Sequence, residues 1–251
     1  MLNGYKLIAV CLTKIQDEVT YEFIDALYQA VKGSDYRLLL FNSFSDLYHQ
    51  NVYDEGAKSI YQLLNYDLVD AVIIKADTIN DHQVIRDLIA RAKERQIPVI
   101  LLNMKAEGCY SIVPSYENVF SQLIEHVIKV HHKRKLYFLS GSMGESNSML
   151  REKIFRETLR DCGIDPQTAK VAYGEYWYGP AERAVENWIQ SGDLPEAIIC
   201  ANDAMAVAAC RVLKRHQIRV PEDMIVTGFD GVPSYQFHRP ALSTCTRTSS
   251  V

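Results

Sequence analysis

From Leu7 to Phe229 the chain alternates short aliphatic runs with longer stretches of helical period. This is the pattern of βαβ units and parallel sheets: strands buried on both faces read as continuous apolar runs, and the helices covering them carry one apolar stripe. The runs predict strands at Leu7–Leu12, Arg37–Phe41, Val69–Lys75, Ile97–Leu102, Lys135–Leu139, Ala169–Tyr173, Ala197–Ala201 and Met224–Gly228. Phe23, Ile24, Leu27, Ala30 and Val31 recur at three- and four-residue spacing and predict the first helix. Others are predicted near Asp54–Leu64, Asp81–Arg95, Glu117–His131, Ser148–Cys162, Ala181–Gln190 and Ala204–His216. The stretch Asn103 to Ser115 breaks the rhythm with Gly108, Pro114 and no helical period, so it reads as a crossover between two lobes.

Composition narrows the class. At 251 residues and 48% hydrophobic content the chain can bury a large core, and its length falls between one big domain and two lobes of ordinary size. A net charge of −4 gives no broad positive field, which excludes a phosphate-backbone grip by this segment. The apolar run Leu7–Leu12 ends at Thr13 and Lys14, far short of the roughly 20 residues a membrane span needs, and it is badly flanked for a signal peptide. Six scattered cysteines without a CxxC pair read as buried free thiols in a reducing cytosol.

The chemistry-bearing motifs are few. No phosphate loop, GxGxxG, GxSxG or HExxH is present, and no histidine has ligand spacing with a carboxylate. No enzyme activity, metal or cofactor is therefore expected. Gly141-Ser142-Met143-Gly144-Glu145-Ser146 falls between a strand and a helix, where backbone N–H groups hold an anion or form a plain rim turn. In open parallel sheets, ligands sit beyond the carboxyl ends of the strands, so residues just past each strand become candidates. Asn202-Asp203 follows one such strand, and either residue caps the next helix. Asp230, in Gly228-Phe229-Asp230-Gly231, follows another strand without an obvious helix to cap, which favours a ligand role. Arg151 sits in the first turns of a helix, where a cation opposes the helix dipole and calls for a specific partner.

Three segments carry a family resemblance: Ala197-Ile-Ile-Cys-Ala-Asn-Asp-Ala-Met-Ala-Val-Ala, Ile218-Arg-Val-Pro-Glu-Asp-Met-Ile-Val-Thr-Gly-Phe-Asp230, and Arg239-Pro-Ala-Leu-Ser-Thr. They resemble the effector-binding core of the LacI/GalR transcription regulators, itself similar to periplasmic sugar-binding proteins. Val69-Asp-Ala-Val-Ile-Ile, Ile97-Pro-Val-Ile-Leu and His132-Lys-Arg-Lys-Leu-Tyr-Phe-Leu fall in the family's order, so the resemblance spans nearly the whole chain. It implies an α/β, two-lobed, periplasmic-binding-protein-like clamshell, each lobe a parallel sheet flanked by helices. The N-terminal lobe would be residues 1–114, the C-terminal lobe 115–240, and 241–251 a crossover returning to the N-terminal lobe.

Arg151, Asn202 and Asp230 match the family's positions that bind sugar hydroxyls, and Tyr176 takes the place of an aromatic ring that packs on the ligand. In the first lobe the match fails: Val19 and Thr20 stand where the family has aromatics, and Asn103-Met104 replaces a typical Asp-Arg pair. The family's helix-turn-helix headpiece has no counterpart ahead of the first strand, and its pattern continues past Leu-Ser-Thr with elements that complete the first lobe. The resemblance thus implies a cytoplasmic, homodimeric sensor of a small, sugar-like effector, touching DNA only through a domain not in this chain and no membrane. The alternatives are a sensor domain of another signalling protein, such as a diguanylate cyclase, or a solute-binding protein for transport.

Overall fold

Residues 4–45, 52–79 and 81–245, which the computed structural model describes, form two all-parallel sheets. The first is built from β1 (Lys6–Thr13), β2 (Tyr36–Ser43), β3 (Ala71–Lys75), β4 (Val99–Leu102) and β5 (Tyr110–Ile112), in the order β2-β1-β3-β4-β5. The second comprises β6 (Leu136–Ser140), β7 (Val171–Tyr173), β8 (Ala197–Cys200) and β9 (Ile225–Thr227), in the order β7-β6-β8-β9. The chain divides into two compact units, residues 1–114 and 115–251.

In the first unit β1 explains why these strands read as unbroken apolar runs. Ala9 and Cys11 join the larger core beneath α4 (His82–Glu94), which contributes Ile85, Leu88, Ile89 and Ala92. Val10 and Leu12 point the other way, toward Phe23, Ile24 and Leu27 of α1 (Glu18–Val31). Asp81 starts α4 by accepting the N–H groups of Gln83 and Val84 and also pairs with Lys58 at 2.6 Å. The helix expected over Asp54–Leu64 is α2 (Val52–Lys58), which tightens into a 3-10 turn at Ser59–Leu63, and a further short helix, α3 (Ala76–Ile79), follows β3.

One expectation is corrected. The stretch Asn103 to Ser115 is not all crossover, because β5 lies within it and pairs with β4 from Ile100↔Tyr110 to Leu102↔Ile112. All three β5 residues are exposed, so the strand buries no face and leaves no apolar period to read.

The second unit packs one continuous core. Helices α5 (Glu117–Lys129), α6 (Ser146–Asp161), α7 (Tyr178–Gln190) and α8 (Asp203–Arg215) flank the sheet, with Phe120, Phe138 and Phe155 completely buried among them. Residues 241–245 belong to this unit: Ser243 bridges Thr227 of β9, and the Asp230 N–H donates to the Cys245 carbonyl at 2.9 Å. The rest of the expected crossover, 246–251, lies outside the described residues. Among the described residues no helix is long and apolar enough to cross a membrane, and all six cysteines are free thiols.

Candidate ligand-binding site

The carboxyl ends of the second sheet gather the sequence-predicted residues. Arg151, on the second turn of α6, is 1% exposed although it carries a formal charge. Its guanidinium lies 4.1 Å from the Phe229 ring centroid, 5.2 Å from that of Tyr116 and 5.7 Å from that of Tyr176. Aromatic faces stabilise a cation without neutralising it. One nitrogen, Nη1, donates to the Ala201 carbonyl at 2.5 Å. The other edge, Nε and Nη2, has no hydrogen-bond partner among the described residues. A buried donor without an acceptor costs stability, and a charged one more so, which marks this edge as built for something else.

Tyr176 is the second member. Its backbone sits at φ +56°, and its hydroxyl meets the Ser148 hydroxyl at 2.9 Å and donates to the Glu145 carboxylate at 3.0 Å. Close approach of the ring depends on Gly141, where a Cβ would stand 2.0 Å from Cζ of Tyr176. Gly141→Ala is therefore expected to displace the ring and weaken effector binding by about tenfold or more while far-UV circular dichroism is unchanged. Calorimetry beside the dichroism spectrum checks both halves.

Glu145 resolves the anion question at the glycine turn. Its carboxylate accepts the N–H groups of Asn147 at 2.9 Å and Ser148 at 2.7 Å, capping α6. Burial opposes its charge, but these N–H groups, with the Tyr176 and Ser148 hydroxyls, outweigh that and hold it below the usual glutamate range. The protein's own carboxylate occupies the place an external anion would take.

Asn202 is largely committed to structure. Its oxygen accepts the Met205 N–H at 2.9 Å, capping α8, and its amide donates to the Tyr176 carbonyl at 3.1 Å. It thus links Tyr176 to the end of β8, one residue from the carbonyl that Arg151 grips. Asp230 follows Phe229 at φ +116° and is partly exposed. Sequence reasoning missed Tyr116 and Phe229, because an aromatic beside an apolar run reads as ordinary core. Ser140 and Thr227, buried at the ends of β6 and β9, also hold hydroxyls without partners among the described residues.

Thr20 is buried in α1, the Asn103 N–H donates to the Ile112 carbonyl, and Met104 packs against the core. Lys75 ends β3 buried and pairs with Asp77 at 2.9 Å.

The periplasmic binding protein-like domain family matches residues 124–248. The chain is 26% identical over 244 residues to the HTH-type transcriptional repressor PurR of Photobacterium profundum, covering 96% of this chain and 70% of that protein. It is 25% identical over 191 residues to the transcriptional regulator AscG of Escherichia coli, covering 76% of this chain and 56% of that protein. Among solved structures it resembles a LacI family regulator, CCPA, from Weissella paramesenteroides with bound glucose: TM-score 0.79, 20% identity, 95% of this chain and 85% of that one. It also resembles a dimeric Lac repressor, with TM-score 0.76, 20% identity and coverage of 95% and 83%. Residues 124–248 thus carry a periplasmic binding protein-like domain, and over nearly its whole length the chain is similar to LacI/GalR-type transcription regulators in the part that binds their effectors.

Proposed function

We propose that this chain senses a small polar, sugar-like effector at the carboxyl end of its second sheet, for a regulator that touches DNA through another domain. The observation that carries the reading is the Arg151 guanidinium, which is 1% exposed, walled by three rings and left with an open Nε–Nη2 edge. A planar fork of this kind suits two adjacent oxygen acceptors, the Asp230 carboxylate accepts two adjacent hydroxyl protons, and an aromatic ring covers a sugar's apolar C–H side. Glucose in the Weissella regulator supports the ligand class. As the sequence resemblance implies, the effector would bridge two lobes and shift their population toward a closed state. The role is non-enzymatic and the location cytoplasmic.

A thermal-shift panel of hexoses, pentoses, nucleosides and amino acids tests the reading, since a ligand that binds only the folded state raises its melting temperature. The expected result is a shift with at least one monosaccharide. No shift from any of them sinks the sugar reading.

The same reading includes a homodimer. On the first unit Tyr21 and Tyr28 stand two turns apart on α1, 62% and 51% exposed, and edge strand β2 exposes Leu39 and Leu40. Light scattering at tens of micromolar is expected to give about twice the 28.6 kDa chain mass. A single species at the chain mass rules this out.

A further inference from the structure

We propose that Asp203 is a positioning residue for the effector site: its buried carboxylate ties the turn carrying Asp230 to the segment Ser243–Cys245 and so sets where the Asp230 carboxylate stands. This rests on the reading of Asp230 as a ligand residue. Asp203 opens α8 and is 1% exposed, so an effector does not reach it. One oxygen, Oδ2, accepts the Val232 N–H at 2.8 Å, and the other, Oδ1, accepts the Thr244 hydroxyl at 2.6 Å. The Thr244 oxygen in turn accepts the Gly231 N–H at 3.2 Å.

A carboxylate in a first helical turn ordinarily serves the helix itself. Here that task falls to Asn202, whose oxygen caps α8, and both Asp203 oxygens are spent on two other segments. Those segments also meet through backbone, with Gly228 N–H donating to the Ser243 carbonyl at 2.8 Å and Asp230 N–H to that of Cys245 at 2.9 Å. The frame is tight: a Cβ on Gly228 would stand 2.2 Å from Oδ1 of Asp203. Asp230 itself is held at φ +116°, a backbone state that persists only where its surroundings over-determine it. Asp203 supplies part of that determination, directly through Val232 and through Thr244, which holds Gly231.

The ionisable groups facing Asp203 are Asp230 on the turn, Cys200 on β8, Cys245 on the adjoining segment and Tyr235 on the 3-10 turn Pro233–Phe237. Burial, with the Asp230 charge adding, raises the Asp203 carboxyl to about 6 against the pull of Thr244, Val232 and Gly231. Both thiols and the phenol are pushed upward by burial and stay protonated through neutral pH. Protonation turns one accepting oxygen of Asp203 into a hydroxyl and so changes the bonds it makes to Val232 and Thr244 as pH falls through about 6; because the folded value is raised, it is the buried carboxylate that costs stability as pH rises through that range. Asp203→Asn replaces one of those two accepting oxygens by an NH2 group that faces a donor, and it does not titrate.

Amide-resolved NMR of the ligand-free chain tests this. In Asp203→Asn the hydrogen-exchange protection of the Asp230 and Val232 amides is expected to fall by about tenfold or more while β6 and β8 keep theirs. In an Asp230→Asn background, which removes the neighbouring carboxylate, the Val232 amide should still titrate near pH 6, and adding Asp203→Asn should flatten it. Thr244→Ser, which keeps the hydroxyl, should preserve protection, and Thr244→Val should lose it. Unchanged protection in Asp203→Asn, a loss spread evenly over β6 and β8, or a Val232 amide that does not titrate would each overturn the proposal. Failure of the ligand reading shows elsewhere, as an Asp230→Ala chain that binds effector as tightly as wild type, and the ligand-free titration is blind to it.

Discussion

Replacing Asp230 by alanine is expected to lower effector affinity by about tenfold or more and leave the second unit folded. A charged hydrogen-bond partner contributes roughly 1.5 to 3 kcal/mol, and about 1.4 kcal/mol is a factor of ten. The side chain is partly exposed just past the end of β9, so its loss opens no core cavity. Arg151→Ala is expected to bind as weakly or worse, but with a cost in stability, since its side chain fills the space between the Tyr116, Tyr176 and Phe229 rings. If both groups grip one effector, the double variant loses less than the sum of the singles. Calorimetry on the three variants decides, and unchanged affinity in both single variants would place the site elsewhere.

The largest stability effect is expected from Phe138→Ala. Phe138 is fully buried in β6, stacked on Phe155 at 5.1 Å between ring centroids and tilted against Phe120 at 6.2 Å. Truncating such a ring costs about 3 to 5 kcal/mol, through lost transfer energy and the cavity left behind. Against a total of roughly 5 to 15 kcal/mol for a domain, that places the second unit near its unfolding threshold. Both tryptophans, Trp177 and Trp188, lie in residues 115–251, so their fluorescence during urea unfolding reports this unit. A loss under about 1 kcal/mol would mean that the three rings do not form the core described.

Most of the fold was legible because most strands are buried on both faces. The runs at β1, β3, β6 and β8 are apolar without alternation, which only a sheet covered on two sides demands. Strand β5 was illegible for the opposite reason: exposed and three residues long, Tyr110–Ile112 carries no burial signal, and its pairing with β4 is a matter of backbone alone. The candidate site was legible in proportion to how badly each residue fitted a structural explanation. Arg151 stood against a helix dipole and Asp230 had no helix to cap, and both fall at the carboxyl end of the second sheet. Asn202 fitted a cap and is one. Asp203 shared that explanation and concealed a different role, because no local pattern reveals that Val232 and Thr244, 29 and 41 residues onward, would deliver their donors to it.

The central claim is that the open edge of Arg151 is where the effector is held. The most direct measurement is the Arg151 Nε–H resonance in a 15N-labelled chain, assigned by its absence in Arg151→Lys, before and after adding the monosaccharide found in the thermal panel. The account predicts that this resonance shifts and that its exchange with water slows on binding, because Nε gains the acceptor it lacks in the ligand-free structure. A monosaccharide that raises the melting temperature but leaves the Arg151 Nε–H resonance where it was would contradict it.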